Sequence, residues 1–120
     1  MDEYAMPDPS FWAARIDGLD VDYVCVGHTH QPYSLRVGRT TIVNPGSVGL
    51  SRDTDPRASY AIIEGDAISL KRVDYAIDQT VAKVETSGID AAAKQMLVEL
   101  YRGEAAHRWM ATGNAIRVTD

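Results

Sequence analysis

A chain of 120 residues, 45% hydrophobic and 24% charged, has the size and composition of one ordinary globular domain. Its formal net charge of −5, without a lysine or arginine cluster, argues against a surface that binds the phosphate backbone of a nucleic acid. We expect no membrane span, because no apolar run approaches the roughly 20 residues that a spanning helix needs. Cys25 is the only cysteine, which excludes an internal disulfide. We predict that it is a small buried side chain and that the protein is cytoplasmic.

The first quarter of the chain predicts a helix followed by a strand. In "DPSFWAARIDGLD", Asp8 can cap a helix and Pro9 suits the first helical position, so we predict a helix over about 9–17. The run "VDYVCV" at 21–26 is rich in β-forming residues and ends at Gly27. Its mostly apolar character predicts a central strand.

Two hairpins and two helices are predicted after this strand. "YSLRVGRTTIV" alternates on either side of a Gly-Arg pair, which predicts a hairpin of 33–37 with 40–43. "SYAIIEGDAISLKRV" predicts a second hairpin that turns at Gly65 and Asp66. Between them, "NPGSVGLSRDTDPRAS" has the composition of a long loop. "AIDQTVAKVE" and "AAAKQMLVELYR" predict short helices, the second capped by Asp90.

Two of the three histidines, His28 and His30, lie in the motif "GHTH" at the end of the first strand. In extended backbone such residues point to the same side, with Cα atoms roughly 6.5–7 Å apart. Their imidazoles could then share one metal ion, or each could bind one of two ions roughly 3.5–4 Å apart. Gly27 would permit a sharp turn or a close approach. The alternative is a pair of surface histidines without a role.

Further metal ligands are scarce in this chain. We expect His107, the third histidine, to be a surface residue. Asp53, Asp55 and Asp66 stand in segments where aspartate commonly stabilises turns. The sequence therefore offers two good ligands and no obvious third.

"VDYVCVGHTHQPY" followed by "IVNPGSVGLSRDTDPRASYAII" resembles the closing part of the calcineurin-like metallophosphoesterases, over roughly residues 8–75. It is most similar to the small bacterial branch described as phosphodiesterase-like or diadenosine-tetraphosphatase-related. The resemblance implies an α/β (α+β) fold, the C-terminal half of a four-layer αββα sandwich with a strand and loop carrying GHTH, two β-hairpins and C-terminal helices. We accordingly divide the chain into a partial metallophosphoesterase domain at 1–75 and a C-terminal helical extension at 76–120.

The resemblance also implies a site for two divalent ions, with Mn, Fe, Zn and Mg as candidates. By analogy, His28 would bind one ion and His30 the other. Gly27 and Thr29 would shape the turn between them.

Three residues of the following loop are implied to lie beside this site. Asn44 and Ser47 would support the turn or the ions, although Asn44 before Pro45 fits plain turn chemistry equally well. Arg52 is a candidate phosphate contact, with a solvated loop charge as the alternative.

The other ligand blocks of the family do not occur in this chain: D-x-H, G-D-x-x-D, G-N-H-[DE] and the lone histidine that normally precedes the helix before GHTH. We therefore expect a metal-dependent phosphoesterase present as a partial domain, with doubtful metal occupancy and little or no activity alone. Its expected partner is the missing N-terminal half or a second copy in a homo-oligomer, with a phosphate ester as substrate once complete. The alternative is a degenerate, non-catalytic binding or oligomerisation module.

Overall fold

The computed structural model describes residues 6–105, which form a mixed α/β fold with two sheets and three helices. None of these helices is long and apolar enough to cross a lipid bilayer. The elements in chain order are α1 Pro9–Arg15, β1 Tyr23–Cys25, β2 Pro32–Val37, β3 Thr40–Pro45, β4 Ala58–Glu64, β5 Ala67–Val73, α2 Ile77–Glu85 and α3 Ala91–Tyr101.

The predicted order of elements is confirmed within residues 6–105, with differences at the ends. The helix expected over 9–17 ends at Arg15, and the strand expected over 21–26 is shortened to Tyr23–Cys25. Asp8 caps α1 by accepting the Ser10 N–H at 2.8 Å, as its position predicted. The tail at 106–120, for which the sequence predicted no clear element, lies outside the described residues.

The first sheet has the strand order β1-β3-β2, with β1 parallel and β2 antiparallel to β3. Our expectation that β1 is central is wrong for the described residues, since β3 lies in the middle and β1 at the edge. The predicted burial of Cys25 is wrong as well, because its side chain is exposed. An edge strand has a neighbour on one side only and so shields its side chains less.

The second sheet is the hairpin β4-β5, which lies against the first sheet. Hydrogen bonds connect this hairpin to β1 and to the loop after β3. Tyr23 Oη donates to the Gly65 carbonyl at 2.5 Å, and the Ser59 N–H donates to the Ser47 carbonyl at 2.9 Å. Two facing sheets with helices are consistent with part of an α/β sandwich, which confirms the predicted fold class.

The core on the other face of the first sheet is built by α1. Trp12, Tyr33 and Ile42 are buried together, and the Trp12 indole N–H donates to the Met6 carbonyl at 2.9 Å. Burying a large apolar side chain contributes roughly 1.5–3 kcal/mol. This packing holds β2 and β3 against α1, and the loop after β3 begins from these packed strands.

Candidate metal centre

The two loops of interest leave the first sheet side by side. Because β1 and β3 are parallel, Cys25 lies opposite Val43 and both strands end at the same edge. The GHTH segment follows β1, and the "NPG" segment follows β3. Motifs that begin seventeen positions apart in the sequence thus meet in space, in the region outside the carboxyl ends of the strands where ligands bind in α/β proteins.

Asn44 joins the two loops. Its amide nitrogen donates to the Thr29 hydroxyl at 2.9 Å and to the Gly27 carbonyl at 3.3 Å. Its amide oxygen accepts the Gly46 N–H at 3.0 Å. Asn44 is 0% exposed, so these bonds form without competition from water. The structure therefore brings together Gly27, Thr29 and Asn44, three of the residues predicted to support the site.

The backbone of the GHTH segment is not extended, which corrects the geometry assumed from the sequence. His28 and His30 have φ of +72° and +60°, in the left-handed region that residues with a Cβ rarely adopt. The Thr29 N–H donates to the Gly27 carbonyl at 2.9 Å, so His28 is the centre of a three-residue γ-turn of the rare, strained form. The sharp turn is carried by the histidines and not by Gly27. Strain of this kind is concentrated at functional sites.

His30 is oriented by a backbone carbonyl across the loop. Its Nδ1 lies 2.8 Å from the Leu50 carbonyl oxygen, and its ring is half-buried. A carbonyl oxygen can only accept, so Nδ1 carries the proton and the lone pair is on Nε2. This is the arrangement in which metal-binding imidazoles are usually held. His28 is exposed at the apex of the turn.

Ser47 positions Leu50. Its hydroxyl oxygen accepts the Leu50 N–H at 3.0 Å and the Gly49 N–H at 3.5 Å. Ser47, predicted as a supporting residue, therefore bonds to Leu50, which in turn bonds to His30. No described hydrogen bond joins Ser47 to His30 directly. Tyr75 also holds the loop, donating to the Gly49 carbonyl at 3.3 Å. Burial, with a smaller contribution from Tyr101, raises the pKa of the Tyr75 phenol, so the donor stays protonated.

Arg72 is a residue of this region that the sequence reading missed. Its guanidinium donates to the Asp55 carbonyl at 3.0 Å and to the Ser51 hydroxyl at 3.4 Å, and it pairs with the Asp53 carboxylate. Arg72 alternates with Ile68 and Leu70 along β5, so the three side chains lie on the same, more buried face of the strand. An arginine on that apolar face was the signal that the sequence offered.

The remaining candidates have local roles in the described residues. Asp53 accepts the Asp55 N–H and Asp55 accepts the Arg57 N–H, which confirms these aspartates as turn residues. Hydrogen bonding from the Arg57 side chain lowers the pKa of Asp55. Arg52 is half-buried in the same loop, and its role toward a phosphate stays a prediction. His107 lies outside the described residues.

The donor set fits part of a metal centre. Imidazole nitrogen is a suitable ligand for Zn, Fe and related divalent ions, and the Nε2 lone pair of His30 is in the form needed for binding. However, residues 6–105 contain no group of three or more His, Cys, Asp and Glu side chains able to hold an ion. Two imidazoles alone fall short of the usual coordination number.

Comparison with known proteins agrees with this geometry. Residues 10–67 match the calcineurin-like phosphoesterase superfamily domain. A probable metallophosphoesterase of Methanothermobacter thermautotrophicus is 36% identical over 50 residues, which are 42% of this chain and 29% of that protein.

Two solved structures share the fold. The crystal structure of a metallophosphoesterase from Sphaerobacter thermophilus has a TM-score of 0.70 at 32% identity, covering 86% of this chain and 51% of its own. A hypothetical protein from Pyrococcus horikoshii OT3 has a TM-score of 0.68 at 17% identity, covering 81% and 40%, and supports the fold alone. The chain thus spans about half or less of the length of these relatives. Metallophosphoesterases are hydrolases that use divalent metal ions. With its GHTH and NPG loops inside the matched segment, this chain matches a portion of a calcineurin-like metallophosphoesterase domain.

Proposed function

We propose that this chain contributes the His28 and His30 ligands to a two-metal centre that hydrolyses phosphate esters, of the phosphodiesterase type found in the small bacterial branch. The observation that carries the proposal is His30, whose Nδ1 is bonded to the Leu50 carbonyl so that Nε2 is left as a metal ligand. The same short segment bears His28 at the apex of a strained turn and lies within the matched domain.

The chain's own residues would orient the ligands and leave the remaining coordination to other polypeptide. Bound divalent ions, with manganese as the first candidate, would offset charge on the phosphate oxygens and make hydroxide available near neutral pH. Two neutral imidazoles bring no negative charge to hold two cations together. We therefore propose that the bridging carboxylate and the general acid come from polypeptide outside residues 6–105, and that this chain alone has little or no activity.

The edge strand β1 is the proposed contact for that missing part. Among the described residues, β1 pairs with β3 on one side only, which leaves its other edge able to bond a further strand. Leu19 and Val21, just before β1, are exposed apolar side chains that a partner would cover. The partner is either a further segment of the same protein or a separate subunit. We also propose a cytoplasmic location, where Cys25 at this edge would stay reduced.

Metal titration tests the ligand assignment directly. Addition of Mn²⁺ to the isotope-labelled chain should broaden the NMR signals of residues 27–30 first, and Zn²⁺ should shift them. His28→Ala and His30→Ala should each abolish the effect, and His107→Ala should not, because it removes a histidine outside the GHTH motif. Metal binding that survives both substitutions would overturn the assignment.

Hydrolysis assays test the proposed dependence on a partner. The chain alone should show no turnover of bis-p-nitrophenyl phosphate with Mn²⁺, Zn²⁺, Fe²⁺ or Mg²⁺, because we propose that the bridging carboxylate comes from other polypeptide. Turnover should appear when the unmatched half of the Sphaerobacter thermophilus protein is added, and His28→Ala should remove it. Turnover by the chain alone would show that the partial-domain proposal is wrong.

A non-catalytic oligomerisation module is the second candidate, favoured by the open edge of β1 and by exposed apolar side chains. Light scattering should then report a defined oligomer, and the metal titration should leave the histidine signals unchanged. A monomer that binds metal through His28 and His30 would exclude this candidate.

A further inference from the structure

We propose that Arg72 is a positioning residue for the candidate metal centre, acting through the loop that fixes the tautomer of His30. The metal-binding consequence rests on the function proposed above, whereas the effect on the His30 proton does not. Arg72 lies on β5, outside both loops that carry the predicted site residues, and no described contact joins it to a histidine.

The first step is the set of hydrogen bonds from Arg72 to the loop between β3 and β4. Its guanidinium contacts four different residues of that loop through the Asp55 and Arg57 carbonyls, the Ser51 hydroxyl and the Asp53 carboxylate. The Arg72 side chain is only 16% exposed, so these bonds are shielded from water and salt. Because the guanidinium is planar and its donors are fixed in a fork, this set of contacts holds the loop in one arrangement.

The second step connects these Arg72 hydrogen bonds to Leu50. Ser51, adjacent to Leu50, is buried and donates its hydroxyl to Asp53 at 2.7 Å. On the other side, the Leu50 N–H is held by the Ser47 hydroxyl at 3.0 Å. Leu50 is thus held at its N–H by Ser47 and on its carboxyl side by Ser51, which Arg72 and Asp53 bond.

The third step is the bond from His30 Nδ1 to the Leu50 carbonyl. A neutral imidazole exchanges its proton between two nitrogens, and the partner of one nitrogen decides which form is populated. When the Leu50 carbonyl is held in place, the proton stays on Nδ1 and Nε2 is available to an ion. When the loop is released, the carbonyl moves and His30 exchanges between both forms. Loss of such supporting bonds typically weakens metal binding by about 10- to 100-fold.

The test compares Arg72→Met with Arg57→Met in the full chain. Methionine keeps most of the apolar stem of arginine and removes the guanidinium. Arg57 is a matched control, because it lies at the end of the same loop and its guanidinium, within residues 6–105, bonds to Asp55 at an exposed position. Long-range ¹H–¹⁵N correlation spectra of the metal-free protein at about pH 8, where free imidazole is neutral, identify the protonated ring nitrogen.

We expect His30 to carry its proton on Nδ1 in the wild type and in Arg57→Met, and to populate both tautomers in Arg72→Met. The Zn²⁺ affinity of Arg72→Met should fall about 10-fold or more. If Arg72→Met does not fold, Ser47→Ala releases Leu50 from the other side and should give the same shift in tautomer.

Two results would overturn the proposal: a proton on Nε2 of His30 in the wild type, or an unchanged tautomer in folded Arg72→Met. If Arg72→Met does not fold, an unchanged tautomer in Ser47→Ala overturns it. Failure of the proposed function gives a different pattern. In that case the tautomer would still depend on Arg72, and Zn²⁺ would bind to none of the proteins through His30.

Discussion

Asn44 is the residue on which the geometry of the candidate site most depends. It is 0% exposed and uses both its amide nitrogen and its amide oxygen to join the GHTH turn to the loop after β3. The sequence reading left it open whether Asn44 serves the site or only the turn before Pro45. In the structure, the bond that forms the turn at Gly46 and the bonds that hold Gly27 and Thr29 come from this one side chain. The role of Asn44 toward a metal site stays a prediction.

Asn44→Ala should lower the free energy of unfolding by about 2–3 kcal/mol, because it leaves several buried polar groups without a partner. Urea denaturation measures this change. Ser34→Ala, at an exposed position of the neighbouring strand, is the control and should stay within about 0.5 kcal/mol of wild type. A loss of less than 1 kcal/mol for Asn44→Ala would show that water replaces its bonds.

Asp55 makes the stability of the folded protein depend on pH in the acid range. Hydrogen bonding from Arg57, stronger than the opposing effect of burial, lowers the pKa of Asp55 below its unfolded value of 3.8. A carboxylate with a lowered folded-state pKa stabilises the protein above the unfolded pKa, and this contribution disappears as the pH falls through the folded pKa. The wild type should therefore lose stability below about pH 4.

Asp55→Asn removes this titration. At neutral pH it should cost up to about 1 kcal/mol, since the ion pair is partly exposed and screened by solvent. Denaturation curves recorded at about pH 6 and pH 3 should differ less for the variant than for wild type. Asp66→Asn, in the exposed turn of the β4-β5 hairpin, is the control. Equal pH dependence in wild type and Asp55→Asn would contradict the prediction.

Among the elements, the loop between β3 and β4 does the most to place the site. It receives bonds from Asn44 at its start, from Tyr75 near its middle and from Arg72 toward its end. Its first turn needs Gly46, which has φ of +82°. A Cβ at this position would lie 3.1 Å from the side chains of Pro32 and Ser59. The loop is therefore packed against both sheets and is not a free surface segment.

Gly46→Ala tests this packing, with Gly38→Ala as the matched control. Both positions have positive φ, but a Cβ at Gly38 meets no heavy atom within 4 Å. We expect a cost of about 1 kcal/mol for Gly38→Ala from backbone strain alone. Gly46→Ala should cost roughly 2–4 kcal/mol, because steric overlap adds to the strain. Thermal or urea unfolding measures both variants. An equal loss of unfolding free energy in the two would mean that the loop around Gly46 rearranges to accommodate a Cβ.

At the scale of the whole molecule, the described residues leave much apolar surface uncovered. Tyr60, Ile62 and Val73 share one face of the β4-β5 sheet by strand register, and they are 40%, 37% and 51% exposed. The buried core on the first sheet is small by comparison. A large exposed apolar surface beside a small buried core agrees with a chain that spans about half the length of the Sphaerobacter thermophilus protein.

A double substitution, Ile62→Thr with Val73→Thr, tests whether this face is open in solution. Threonine keeps the β-branched shape, so the unfolding free energy should change by less than about 1 kcal/mol while binding of an apolar fluorescent dye falls. Ile42→Val, in the buried core, is the control and should cost about 1 kcal/mol without reducing dye binding. A loss of several kcal/mol in the double variant would show that the face is covered in the folded protein.

The amino-acid sequence by itself determined the elements of the fold and the segment that carries the site. Caps such as Asp8, the two hairpin turns and the alternation of apolar residues are local features, and local hydrogen bonds and side-chain periodicity suffice to establish them. The GHTH and NPG motifs could be identified for the same reason, since each is a short continuous segment.

Only the tertiary structure decided how these segments are arranged. The edge position of β1, the exposure of Cys25 and the left-handed turns at His28 and His30 depend on which strands become neighbours and where loops are bonded to them. The bond from His30 to Leu50 spans twenty residues, and the bond from Arg72 to Ser51 spans twenty-one. Contacts at such separation leave no periodic trace in the sequence, because they are set by packing in three dimensions.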